Sequence, residues 1–161
     1  MDRAALIRQY AEGPSELAAA WNAMPPEVRQ YRPGPHEWSA HEILCHCADS
    51  EMTSAMRIRT LLAEPTPRII GYDQNTWVTQ FATDDVDPEL ALAAAAMARR
   101  WTVPLLEKMT DERWASVGTH SESGAYSAID WLNTYAVHLH DHAEQIRTNL
   151  RAWNARNQSE S

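Results

Sequence analysis

The stretch SAIDWLNTYAVHLHDHAEQIRTNLRAW, residues 127 to 153, decides the fold. Within it Ile129, Leu132, Ala136, Leu139, Ala143, Ile146, Leu150 and Trp153 recur at alternating spacings of three and four. That period draws one apolar seam along a single helix. A strand would instead repeat every second position. The seam therefore predicts a long helix beginning near Ser127.

Three more helices follow on moving outward. The first covers about residues 3 to 23, with Leu6, Tyr10, Leu17 and Trp21 apolar, and stops at Met24-Pro25-Pro26. The second opens at Ser39, an N-cap with Glu42 at the third helical position, which together read as a capping box. It runs to about Ala63, before Pro65 and Pro67. The third follows Asp87-Pro88, with proline in the first helical turn, and continues through LALAAAAMARRW; Pro104 is a candidate kink. Four helices of this length predict an all-α protein, a four-helix bundle. The segment from Glu64 to Asp85, between helices two and three, reads as a long irregular loop, and loops of that length are often functional. No repeat or linker interrupts the 161 residues, so a single domain is expected.

Composition narrows the function. A net charge of −8 argues against nucleic-acid binding, which needs a basic surface. No stretch approaches the roughly 20 apolar residues that cross a bilayer. The N-terminal MDRAALIRQYAEG is charged and helical rather than a secretory leader, so a cytoplasmic location is expected. Cys45 and Cys47 flank His46 and point roughly 200° apart on a helix, so they do not pair. Seven tryptophans against one phenylalanine suit core or half-buried packing, with one or two available to line a pocket.

The chemistry concentrates in HLHDH, residues 138 to 142. His138 and His142 are four residues apart, on one helix face and one turn from each other, so their imidazoles can converge on one ion. They lie on the shoulder of the seam, on the stripe Trp131, Tyr135, His138, His142, Gln145. His140 points elsewhere and is expected to be exposed. A polar helix face is the alternative reading of the pair. No glutamate follows His138, so the HExxH pattern is absent. A working centre needs a third ligand from another helix, and His46 is the natural candidate.

The segment RPGPHEWSAHEILCHCADSE, residues 32 to 51, resembles the opening pattern of the DinB-like superfamily, its YfiT-like branch in particular, through Trp38, Ser39, His46, Asp49 and Ser50. EPTPRIIGYDQNTWV (64 to 78), GTHSESGAYS (118 to 127) and YAVHLHDHAEQI (135 to 146) are similar, in order, to that family's later motifs. The resemblance implies an up-and-down-type four-helix bundle. It also implies a three-histidine metal site at His46, His138 and His142, holding a divalent ion. Zinc or nickel is expected first, with iron, manganese and copper also compatible. The implied activities are metal-dependent hydrolysis and transfer of a low-molecular-weight thiol, so a small-molecule substrate is expected. A homodimer suits a bundle of this size.

Asp141 replaces a histidine often found before the last ligand, and it either orients an imidazole or faces solvent. Cys45 is expected as a buried apolar thiol, a metal ligand being the lesser alternative. Asp49, His120 and Gln145 are candidate catalytic or orienting residues. Tyr72, Asp73 and Trp77 lie in the long loop that can cover the site, while His36 and His41 read as surface residues. The competing reading is a non-catalytic bundle whose metal is structural or sensed.

Overall fold

The computed structural model describes residues 2–159. Four long helices form it: α1 (Arg3–Asn22), α2 (Ala40–Ala63), α4 (Pro88–Glu107) and α6 (Ala128–Ser159). A 3-10 turn (Pro26–Val28), a short α3 (Gln74–Phe81), α5 (Asp111–Trp114) and three strands lie in the connections. The strands are β1 (Arg68–Ile69), β2 (Val117–His120) and β3 (Gly124–Ser127).

The helix starts follow their local chemistry. Ser39 accepts a hydrogen bond from the Glu42 amide at 3.2 Å, and the Glu42 carboxylate accepts from the Ser39 amide at 2.8 Å. Asp87 caps α4 ahead of Pro88 by accepting from the Glu89 amide. Ser127 and Asp130 cap α6 with the same reciprocal exchange. Pro14 and Pro104 lie inside α1 and α4 without ending them.

The expected four-helix bundle is what the chain forms, and its directions refine the up-and-down order. Tyr10, Gly13 and Glu16 of α1 meet Trp131, Leu139 and Arg147 of α6, so these neighbours run parallel. Glu51 and Arg59 of α2 meet Arg99 and Thr102 of α4, a second parallel pair. Trp38 and Ser54 bond Asn149 and Trp131, so α2 and α6 are antiparallel. The order is thus up, down, down, up. A parallel α2 and α4 require a connection that travels back along the bundle, which explains the length of the 64–87 segment.

That segment is more ordered than its sequence suggested. It holds β1 and α3, and β1 pairs in parallel with β2 (Ile69 opposite His120) while β2 and β3 form a hairpin. The small sheet is an addition to the all-α expectation. Its strands are two to four residues long, too short to leave a period-two pattern.

Two apolar clusters fill the bundle. Leu17, Trp21, Ile43, Leu44, Leu139 and Ile146 belong to one; Tyr10, Ile58, Leu61, Leu106, Trp131 and Leu132 belong to the other. Between them along α2 and α4 lies a buried polar layer of Glu51, Ser54, Arg99 and Thr102. Arg99 donates to both oxygens of Glu51, to the Tyr10 carbonyl and to the Tyr135 carbonyl, tying four helices together.

Candidate metal centre

Three imidazoles meet where α2 and α6 cross. The ligand nitrogens of His46, His138 and His142 lie within 4.8 Å of one another. Their ring centroids are 5.5 Å apart for His46 and His138, 4.8 Å for His46 and His142, and 4.6 Å for His138 and His142. His46 comes from the buried face of α2, and the other two from one turn of the shoulder of the α6 seam.

The hydrogen bonds assign a role to each ring nitrogen. Nδ1 of His138 donates to Glu51 Oε1 at 3.1 Å, and Nδ1 of His142 donates to Gln145 Oε1 at 2.9 Å. With Nδ1 engaged in each ring, Nε2 is the nitrogen left to serve as a ligand. Ser50 Oγ approaches His138 Nε2 only at 3.4 Å. Nε2 of His46 is buried without any hydrogen-bond partner. Burial, with His142 and His138 beside it, pushes the His46 pKa down to about 3. Burial and His138 push His142 down to about 4. Both are therefore neutral at physiological pH, the state a metal needs. An orphaned buried nitrogen facing two imidazoles oriented through their Nδ1 atoms fits a divalent cation.

The surroundings separate the remaining candidates. Gln145 touches His142 directly, as its position three residues later suggested. His120 sits at the end of β2 and lines a cavity of about 150 Å³ beside His138, together with Ser50, Arg57, Tyr72 and Glu122. Tyr72 stacks on Trp77 at 4.2 Å, so part of the long connection does cover this side. Asp73 instead caps α3 by accepting from the Thr76 amide. Asp49 is half-buried, and burial raises its pKa; among the described residues it makes no side-chain bond to the three imidazoles. Asp141 is exposed. Cys45 is buried against His41, with its thiol pushed up to about 11 by burial and by Asp49 and Glu42, and it stands outside the cluster. Trp38 packs on His46 at 4.9 Å and is the tryptophan that walls the centre.

Two expectations are corrected. His41 is buried, not on the surface, because its Nε2 donates to the Thr83 carbonyl and pins the crossover to α2. His140 is half-buried, because its Nε2 donates to the Gln9 carbonyl of α1. His36 is exposed as expected. Glu51 and Arg99 were missed by sequence reading: charged residues read as solvated faces until a partner on another helix is known. Burial works against the Glu51 charge, but His138 and Arg99 outweigh it and hold its pKa below the ordinary value.

Fold and centre together define a four-helix bundle with a three-histidine cluster, one member of which, His138, lines a small cavity. The chain belongs to the DinB superfamily, whose profile matches residues 9–146, and within it to the YfiT-like branch. It is 30% identical over 144 residues to Bacillus subtilis YfiT, a candidate metal-dependent hydrolase, covering 87% of this chain and 79% of that one. A Bacillus licheniformis protein bearing the same description is 30% identical over 131 residues, 77% of this chain and 71% of its own. The solved structure of Bacillus subtilis YfiT, described as having an unusual four-helix bundle topology, superposes with a TM-score of 0.87 at 25% identity. That superposition covers 94% of this chain and 87% of YfiT. TT2238, a four-helix bundle protein, shares the fold with a TM-score of 0.65 at 16% identity over 91% of this chain and 99% of its own. No helix among the described residues is long and apolar enough to cross a membrane.

Proposed function

We propose that the protein is a metal-dependent enzyme in which His46, His138 and His142 hold one divalent cation, zinc or nickel foremost. The buried, unpartnered Nε2 of His46, facing two imidazoles whose Nδ1 atoms are already engaged, carries this reading. A buried polar atom without a partner costs about 1–3 kcal/mol, and a metal bond offsets that cost. A structural site is closed by a fourth protein ligand, whereas among the described residues this cluster has three, and His138 borders a cavity. When bound, such an ion supplies Lewis acidity and makes a water or a thiol nucleophilic near neutral pH.

The chain's own residues orient and enclose. Glu51 and Gln145 fix the tautomers of His138 and His142. Trp38 keeps water from one side of His46. Nδ1 of His120 accepts the Glu122 amide, so its Nε2 carries the proton and is a donor for a substrate in the cavity. The reaction class is attack of water, or of a low-molecular-weight thiol, on a small electrophile. The relatives' descriptions favour hydrolysis, and the family's range includes thiol transfer.

Metal content per chain, measured by mass spectrometry on tag-free protein, tests this reading. Wild type and His140→Ala should carry about one equivalent, and His46→Ala, His138→Ala and His142→Ala little. Wild type without metal even after reconstitution overturns the proposal. Esters, amides and thiol–electrophile pairs assayed side by side on the loaded protein then separate hydrolase from transferase.

A further inference from the structure

We propose that the cavity beside His138 is a carboxylate subsite, with Arg57 as its anchor for a small acidic substrate. Arg57 is held at both ends: Nη1 donates to the Tyr135 hydroxyl at 3.0 Å and Nη2 to the Ile70 carbonyl at 2.9 Å. Its Nε is buried and has no hydrogen-bond partner. Among the described residues no carboxylate comes within 4.0 Å of its guanidinium, whereas Arg3, Arg32, Arg99, Arg147 and Arg151 all have one. A half-buried cation that lines a cavity, has no counter-ion and uses only one hydrogen on each Nη nitrogen is a preorganised anion site.

The lining agrees with this. Ser50 and Gln74 bring a hydroxyl and an amide donor, and the Arg57 guanidinium lies 5.6 Å over the Tyr72 ring, which stiffens it further. At about 150 Å³ the cavity is well below the roughly 300–1,000 Å³ of ordinary ligand pockets, so it takes a small acid and not a nucleotide. Glu122 is the one acid in the lining and is exposed. One arginine opposed by one acid suits a monoanion better than a phosphate dianion. Because His138 lines the same cavity, a carboxylate held at Arg57 leaves the rest of the molecule beside that imidazole of the cluster. The catalytic meaning of the subsite rests on the metal-centre reading, but the anion binding itself does not.

Calorimetry of the full-length protein, with and without zinc, against 3-mercaptopropionate and its neutral amide is the test. In both states wild type should prefer the acid by at least about ten-fold, the scale of a charge-assisted hydrogen bond. Arg57→Gln should erase the preference, Arg57→Lys should keep part of it, and Glu122→Gln should strengthen it. Equal binding of acid and amide by wild type overturns the proposal. So does a preference that survives in an Arg57→Gln protein whose melting curve is intact. Because Glu122 is exposed, Glu122→Gln reads the electrostatics even if Arg57→Gln fails to fold, and an unchanged preference there also overturns it. His46→Ala separates the two readings: loss of metal with the acid preference retained sinks neither, whereas retained metal sinks only the triad.

Discussion

Nδ1 of His138 rests 3.1 Å from Oε1 of Glu51, the same oxygen that receives Arg99 Nη2 at 2.7 Å. One carboxylate thus orients a candidate ligand and neutralises a fully buried guanidinium in the core. Stability and metal affinity meet in one side chain. Glu51→Leu removes both partners. Its expected effect is a loss of about 3–5 kcal/mol, because Arg99 is left charged and unpaired, and this is read by urea unfolding of the metal-free protein. Glu51→Gln keeps an acceptor for His138 and should retain more metal affinity than Glu51→Leu. Equal affinities in the two variants would show that the bond to His138 has no orienting role.

Gln145 does for His142 what Glu51 does for His138, with no charge involved. Gln145→Leu should lower metal affinity roughly 10- to 100-fold, the usual effect of losing a partner behind a ligand. Competition with a coloured chelator measures it. The metal-free unfolding midpoint should move little, since Gln145 is half-buried and bonds only within its own helix. A large shift in that midpoint with affinity unchanged would assign Gln145 to packing instead.

How much of this was legible beforehand follows from the range of each interaction. The seam from Ile129 to Trp153, the capping box at Ser39 and the proline after Asp87 are local, and they placed three of the long helices. His138 and His142 paired by helical spacing alone. His46, on another helix, was the natural third ligand among seven histidines, and the resemblance to the family's motifs supported that choice. Direction was not readable, because whether α4 runs with or against α2 depends on the crossover and on contacts such as Glu51 with Arg99, which are 48 residues apart. His41 and His140 were misread for the same reason: their partners, Thr83 and Gln9, lie 42 and 131 residues away.

Acid should destabilise the metal-free protein, with a defined sign. The folded-state pKa values of His46 and His142 are depressed to about 3 and about 4, against an ordinary value near 6.5. Between those values the unfolded chain binds protons that the folded one refuses. Stability therefore falls as pH drops from about 6.5 towards 4, each group contributing up to about 1.4 kcal/mol per pH unit. Above that range neither group contributes a slope. His46→Ala should flatten the decline in melting temperature across this window. An unchanged slope in that variant would mean the ring is protonated in the fold, which a metal ligand cannot be.

Gly13 packs α1 tightly against the polar layer. A Cβ there would lie 2.4 Å from Arg99 Nη1 and 3.0 Å from Leu139 Cβ. Alanine in a helix interior is ordinarily favoured over glycine by about 1 kcal/mol. Here the guanidinium cannot swing aside cheaply, because Nη1 is bonded to the Tyr10 carbonyl at 2.5 Å and its other nitrogens to Glu51 and Tyr135. Overpacking of this kind costs about 1–3 kcal/mol, enough to reverse the helical gain. Gly13→Ala should thus lower the unfolding midpoint. It should also weaken metal binding, since displacing Arg99 moves Glu51 and, with it, the Nδ1 partner of His138. A lowered midpoint with metal affinity intact would mean that α1 shifts as a body and the layer does not transmit strain to the centre. A raised midpoint would mean that Arg99 is free to move, and that the layer does not hold His138 in place.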